Sequence, residues 1–169
     1  MKRIIVFLVV VFFIRCSNNN DINNSENQTD INFVTGINLI NNFGIKTGEL
    51  GNPNELNNNN FDFFPNPSIN ILNLYSIENI SKIWIRPANS NKNYQQTDFE
   101  SILNSGLYSE NQIESGAELK FSDSNLSGIK IDLGSLESGY YRVFVKINEK
   151  IYWENIFVGE LQDLINYWD

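Results

Sequence analysis

The residues YYRVFVKINEKIYWENIFV, numbered 140–158, carry the clearest structural signal in this chain of 169 residues. From Tyr141 to Ile147 every second side chain is apolar, and Arg142, Phe144 and Lys146 lie between them; this period of two is typical of a strand. A second apolar run covers 151–158, and the polar residues 148–150 between the two runs suit a tight turn. The stretch therefore predicts a β-hairpin.

Shorter strand-like runs precede this hairpin, with turn residues between them. Residues 33–40 and 45–50 flank the turn signal Asn-Asn-Phe-Gly and predict a second hairpin. Pro65 and Pro67 exclude a central strand at their positions, because proline has no N–H for the ladder. Many short strands predict a mainly β protein built as a single antiparallel β-sandwich of the immunoglobulin-like kind. The other predicted strands are 69–74, 80–86, 119–121 and 129–133.

Two segments have helical rather than strand-like patterns. Within 97–105, Thr97 and Glu100 form a capping box ahead of an apolar face. In 161–169 the apolar residues recur at helical spacing, which predicts a short amphipathic helix or tail that packs against the sheet. We therefore expect one or two short helices, the second docking through Leu161, Leu164 and Trp168.

The beginning of the chain has the layout of a bacterial export signal. Basic residues precede an unbroken apolar run at 4–14, and the single cysteine of the chain, Cys16, follows Arg15. As a helix the run would reach about 16 Å, half of a bilayer's hydrocarbon core, so a cleaved signal suits it better than a membrane span. We predict a signal peptide at 1–15 and lipidation of Cys16. An ordinary signal peptide with an incidental cysteine is the alternative, because Arg15 is bulkier than the residues usual before a lipidated cysteine.

The remaining sequence predicts a tether and one domain. Residues 16–32 contain almost no apolar side chain, which predicts a disordered Asn-rich tether, and 33–160 are the length of one domain. Removal of residues 1–15 would take three positive charges from a net charge of −8 and leave −11. Such an acidic surface repels phosphate groups, which argues against nucleic acid as a partner. The lipid on Cys16 would then be what binds the membrane.

Chemistry is restricted by the absence of histidine from the sequence. This removes Ser-His-Asp and Cys-His catalysis and imidazole metal sites. Glycosidases need only two acids, but a solvated surface position is the simpler interpretation of most acids in this chain. We predict no enzyme activity and no cofactor. The acids considered as catalytic candidates are Asp98, Glu100, Glu110, Glu114, Glu118 and Asp132.

One short motif resembles the start of a calcium-binding loop. Asp123, Asn125 and Ser127 supply oxygen side chains at alternate positions, and Gly128 follows. The twelfth position of such a loop would be a bidentate Glu, and here it is Gly134. A plain β-turn is the other interpretation, so these three residues are a calcium candidate in a chain otherwise predicted to hold no metal.

Several aromatic residues could either stack on a carbohydrate or fill the faces of strands. Tyr152 and Trp153 are adjacent in one predicted strand and must point to opposite faces. We favour packing, because Tyr and Trp are common on the faces of small sheets. The residues concerned are Trp84, Tyr140, Tyr141, Tyr152 and Trp153.

Two separated stretches resemble the C-terminal sorting domains of type IX secretion. FPNPS at 64–68, followed by ILNL at 71–74, is similar to the opening motif of that family, and 131–158 is similar to its closing LxxGxYxVxV motif. The resemblance covers roughly 63–158 and implies a β-sandwich of about seven strands and a Bacteroidota source. The chain departs from the family because 159–169 continue beyond the last strand without lysine, and because little sequence precedes residue 63 to act as cargo.

These features together predict a small Bacteroidota lipoprotein anchored in the outer membrane and facing the periplasm or the cell surface. We expect a non-catalytic binding or structural module, with an envelope protein or a glycan as partner. A type IX secretion cargo with its sorting domain is one alternative. An acid-based, glycosidase-like hydrolase is the second.

The substitution Cys16→Ser tests the predicted anchor. If Cys16 carries the lipid, the wild-type protein should partition into detergent and incorporate labelled palmitate. The variant should do neither. Palmitate labelling that survives the substitution would contradict the anchor.

Overall fold

The computed structural model of the chain describes residues 32–57, 59–92 and 108–168. The predicted signal peptide, Cys16 and the helix predicted at 97–105 lie outside the described residues, as does nearly all of the predicted tether.

Eight strands and two short helices make up most of the described part. The prediction of a mainly β protein with one or two short helices is confirmed. The helices are α1 (Glu110–Ser115) and α2 (Leu161–Trp168). The strands are β1 (Phe33–Val34), β2 (Gly36–Ile40), β3 (Lys46–Gly51), β4 (Phe61–Phe64), β5 (Ile71–Ser90), β6 (Leu119–Asp132), β7 (Gly139–Ile147) and β8 (Lys150–Val158).

β5 lies in the middle of a six-stranded sheet. It pairs antiparallel with β6 along both of its halves, with β4 over its first half and with β7 over its second half. β1 pairs parallel with the end of β5, and β8 pairs antiparallel with β7. β2 and β3 form a separate two-stranded sheet. Both predicted hairpins are therefore present, as β2–β3 and β7–β8.

Four predicted strands are two long ones in the structure, because a bulge bends a strand without ending it. The β5–β6 register shifts between Tyr75 and Ile80 and again between Ile80 and Lys82. The sequence pattern at such a bulge resembles that of a turn. In this way β5 joins the predicted strands 69–74 and 80–86, and β6 joins 119–121 and 129–133.

The bend in β5 lets both of its halves bury side chains in one core. Leu72 and Leu74 enter this core from the first half, and Ile83 and Ile85 from the second. The two pairs have opposite parity, so along a regular strand they would face opposite sides of the sheet. The other strands contribute chiefly Phe61, Phe63, Ile131, Tyr141, Val143, Val145, Ile147, Ile156 and Val158.

The other face of the sheet is covered by α1 and by an extended segment. Trp84, Phe144 and Trp153 pack there with Ile113 of α1 and with Leu56. Leu56 is also joined to Trp153 by two backbone hydrogen bonds of 2.9 and 2.8 Å, which form an isolated β-bridge at the outer edge of β8.

α1 is not among the helices that the sequence pattern predicts. Ser109 caps it: its hydroxyl accepts the Gln112 N–H at 3.3 Å, and the Gln112 side chain accepts the Ser109 N–H at 2.9 Å. This is a capping box. Its buried residue is Ile113, so the helix has too short an apolar face for the pattern to stand out.

α2 docks against the β2–β3 sheet, as predicted for the end of the chain. Leu164 is buried with Ile37 and Phe157, and the Trp168 ring packs beside them. A Cβ atom on Gly51 would lie 2.5 Å from the Trp168 ring, so glycine allows this contact. Leu161, which was also predicted to dock, is 45% exposed.

Replacement of Leu164 by alanine should destabilise the fold by about 3 kcal/mol, because it leaves a cavity between α2 and the sheet. The matched control is Leu161→Ala, which should cost less than about 1 kcal/mol because that side chain is exposed. Urea unfolding of both variants measures the difference. Equal effects would contradict the docking of α2.

Candidate functional site

A carboxyl group occupies a core-facing position of the last strand. Ile156 and Val158 point from β8 into the main core, and Glu154 has the same parity and lies opposite Val143 of β7. The Glu154 side chain is buried, with the residue only 4% exposed. Burial of a carboxylate is unfavourable unless partners compensate for the lost water. The groups that contact the Glu154 carboxyl group therefore determine its protonation state and what it can bind.

The segment beside β8 brings a second carboxyl group to Glu154. Leu56 forms the bridge to Trp153 and directs its side chain to the opposite face of the sheet. Because side chains alternate along an extended segment, Glu55 and Asn57 point to the same side as Glu154. Asn57 Nδ2 donates a hydrogen bond to Glu154 Oε1 at 3.0 Å. The Glu55 carboxyl group lies close enough to the Glu154 carboxyl group to raise the pKa of Glu154.

Asn38 of β2 contacts Glu55 from another direction. Asn38 Nδ2 is 2.6 Å from both carboxyl oxygens of Glu55. The backbone oxygen of Asn38 accepts a hydrogen bond from Asn66 Nδ2 at 2.7 Å. The Asn66 side chain is also bonded to β8, through the Asn155 carbonyl and the Phe157 N–H, both at 3.0 Å. One buried amide thus fixes the position of Asn38 relative to β8.

Two buried oxygen atoms in this group have no hydrogen-bond partner within the described part of the chain. They are Glu154 Oε2 and Asn38 Oδ1, and Asn38 is 6% exposed. A hydrogen bond between the Glu55 and Glu154 carboxyl groups exists only while one of the two carries a proton, because an ionised carboxylate has none to donate. Asn38 Oδ1 is always an acceptor, and Glu154 Oε2 is an acceptor when Glu154 is ionised, so in that state both atoms lack a donor or a cation.

These side chains line an open cleft of about 370 Å³. We call it the Glu154 cleft, and its polar lining includes Asn38, Lys46, Glu55, Asn57, Asp62 and Glu154. Lys46 forms an exposed ion pair with Glu49 at 2.7 Å. A cleft of this volume can hold a small polar molecule or a partly hydrated ion.

The cleft favours the protonated form of Glu154. Burial raises the pKa of the Glu154 carboxyl group well above its ordinary value, and contact with the Glu55 carboxyl group raises this pKa further. The hydrogen bond from Asn57 and the positive charge of Lys46 act in the opposite direction and are the smaller effects.

The structure describes four of the six acids singled out in the sequence. Glu110 of α1 accepts hydrogen bonds from Lys82 at 2.7 Å and Lys146 at 2.6 Å, and these bonds lower the pKa of Glu110. Asp132 accepts the N–H of Gly134 at 2.8 Å. No group of three acids, cysteines or histidines that could hold a metal forms within the described residues. Glu114 and Glu118 are exposed, and Asp98 and Glu100 lie outside the described residues.

The calcium candidate lies in a strand. Asp123, Asn125 and Ser127 belong to β6, which continues from Leu119 to Asp132. The prediction of a plain β-turn at this point is therefore wrong for the backbone, whereas the calcium candidate stays a prediction. The cause is the β5–β6 irregularity, which interrupts the apolar pattern while the pairing of the two strands continues.

The aromatic residues considered as a carbohydrate platform pack inside the protein. Trp84 and Trp153 are buried against α1, and Tyr141 is buried in the main core. Tyr140 packs edge-on against Phe157, with ring centroids 5.0 Å apart. Tyr152 is half-buried beside the cores.

Comparison of the chain with protein-family models, with curated proteins and with solved structures finds no match in any of the three. Among the described residues, no helix is long and apolar enough to cross a membrane.

Glu154 and Glu55 are absent from the acids singled out in the sequence. The available signal is the parity of β8: Glu154 stands where Ile156 and Val158 predict an apolar residue. Glu55 has no such signal in the sequence. It comes near Glu154 because its neighbour Leu56 forms a bridge to Trp153, which lies far away along the chain.

The stability of the wild-type protein should fall, relative to Glu154→Gln, as the pH rises above the ordinary glutamate pKa of 4.5. Because the folded state raises the pKa of Glu154, its contribution is fully present below the ordinary pKa of 4.5 and is lost as the pH rises through the folded pKa. Glutamine keeps the hydrogen bonds of the protonated form. Urea unfolding of both proteins across this range, in metal-free buffer, measures the effect.

The control for this comparison is Glu114→Gln, which removes one exposed carboxylate from α1. Its stability should follow that of the wild type at every pH. Parallel pH profiles for wild type and Glu154→Gln would contradict the burial of a protonated Glu154.

Proposed function

We propose that this chain is a lipid-anchored lipoprotein of the outer membrane that acts as a non-catalytic binding module, with the Glu154 cleft as its binding site. Its ligand is small and polar, and it presents hydrogen-bond donors or positive charge to the cleft. The domain is a β-sandwich held away from the membrane by the Asn-rich tether, whose reach would be roughly 20–25 Å.

The observation that carries this proposal is the pair of buried acceptors, Glu154 Oε2 and Asn38 Oδ1, in one open cleft. An unsatisfied buried polar group costs roughly 1–3 kcal/mol, and more if it is charged. A domain that needed only a stable core would place an apolar residue at position 154, as it does at Ile156. Positions that lower stability in this way are common where a protein binds its ligand.

The arrangement around α2 supports a resident module over a secretion signal. β2, β8 and α2 share one apolar cluster through Ile37, Phe157 and Leu164. Residues before and after the sorting-domain-like stretch are thus packed together. A detachable sorting signal would need a cargo that folds apart from it, and 33–60 packs on the same core instead.

Replacement of Glu154 by methionine tests whether the carboxyl group is dispensable for folding. Methionine has a similar length and is apolar, so the variant should be as stable as the wild type at pH 8, or about 1–2 kcal/mol more stable. Urea unfolding measures the change.

The control for this test is Ile156→Ala, which changes the next core-facing position of β8. This substitution should lower the free energy of unfolding by about 2–4 kcal/mol. A loss of that size shows that the assay detects packing on this strand. A loss of more than about 2 kcal/mol in Glu154→Met would mean that the carboxyl group serves the fold, and would overturn the proposal.

A further inference from the structure

We infer that the Glu154 cleft binds a hard divalent cation, with calcium as the reference ion, through the carboxylates of Glu154 and Glu55 and through Asn38 Oδ1. This inference rests on the proposed function and names the chemical class of the ligand for the same cleft.

The first argument is the chemistry of the donor atoms. Apart from Lys46, the polar side chains that line the cleft are carboxylates and amides, so the ligating atoms they offer are oxygens. Calcium prefers carboxylate and amide oxygens, whereas zinc and copper favour the nitrogen and sulfur ligands of histidine and cysteine. The sequence has no histidine, and its single cysteine is Cys16.

The second argument is the unpartnered atoms. Glu154 and Asn38 are each more than nine-tenths buried, and each has one oxygen without a hydrogen-bond partner in the described residues. Both residues line the cleft. A cation accepts several oxygen ligands together, whereas a single hydroxyl donor satisfies only one oxygen.

The third argument is the contact between two like-charged groups. When ionised, the carboxylates of Glu55 and Glu154 repel each other, because the site is partly buried and water screens the two charges weakly. A divalent cation held by both carboxylates converts this repulsion into attraction. Lys46 also lines the cleft, but its ammonium group is paired with Glu49 at the surface.

The strength of the site follows from its ligand count. Two carboxylates and one amide oxygen provide fewer than the six to eight oxygens that calcium takes, so water must supply the rest. The cleft has room for such water. Sites with few charged ligands bind calcium weakly, so we expect a dissociation constant of about 0.1–1 mM.

Isothermal titration of CaCl₂ into the chelator-treated, full-length protein in non-ionic detergent at pH 8 tests the inference. The wild type should show one saturable site in this range. Glu154→Gln should weaken binding by at least about tenfold, because it removes one charged ligand. Asn38→Leu should also weaken binding, because it removes the amide oxygen that the inference assigns to the cation. The matched control is Glu114→Gln, which should bind as the wild type does.

Two results would overturn the cation site. One is the absence of saturable calcium binding to the wild type. The other is equal affinity in wild type and Glu154→Gln, which would place the ion elsewhere. Neither result decides the proposed binding module, because that proposal is tested separately by the stability of Glu154→Met.

Discussion

The pairing of β5 with its neighbours is the constraint on which the other parts of the structure depend. This one strand forms ladders with β4, β6 and β7 and a short parallel contact with β1. Its bend near Ile80 turns two groups of side chains toward one core. If β5 were straight, Leu72 and Ile83 would lie on opposite faces and the main core would be divided. The position of β7, and through it of β8 and Glu154, is set by the second half of β5.

Buried asparagines connect the two sheets. Asn155 donates to Asn54 Oδ1 at 2.9 Å and to the Gly36 carbonyl at 3.1 Å, and Asn54 accepts the N–H of Thr35 at 3.2 Å. Asn66 completes this network by joining β2 to β8. An amide carries both donors and an acceptor, so it can satisfy backbone groups of segments that do not pair as strands. These contacts hold the segment that bears Glu55 in place.

The sequence predicts those parts of the fold that depend on local pattern. Alternation over 140–158 and the turn residues at 41–44 identify both hairpins, and the spacing of Leu164 and Trp168 identifies α2. The bulges in β5 and β6 are missed because their effect depends on a partner strand far along the chain. The cleft is missed for the same reason: Asn38, Glu55 and Glu154 are separated by many residues and meet through the Leu56 bridge and the Asn66 amide. The predicted lipid anchor and outer-membrane location remain predictions.

The contacts along the outer edge of β8 also bear on aggregation. An edge strand offers free N–H and C=O groups to any other strand that approaches, and this is a common route to misassembly. Here the backbone of Leu56 forms hydrogen bonds with both the N–H and the C=O of Trp153. The Asn66 side-chain amide donates to the Asn155 carbonyl and accepts the Phe157 N–H. The Ser68 N–H donates to the Phe157 carbonyl at 2.9 Å. Short segments that are not strands thus close the edge of the sheet, and a second copy of the chain finds no continuous row of backbone groups there to extend it.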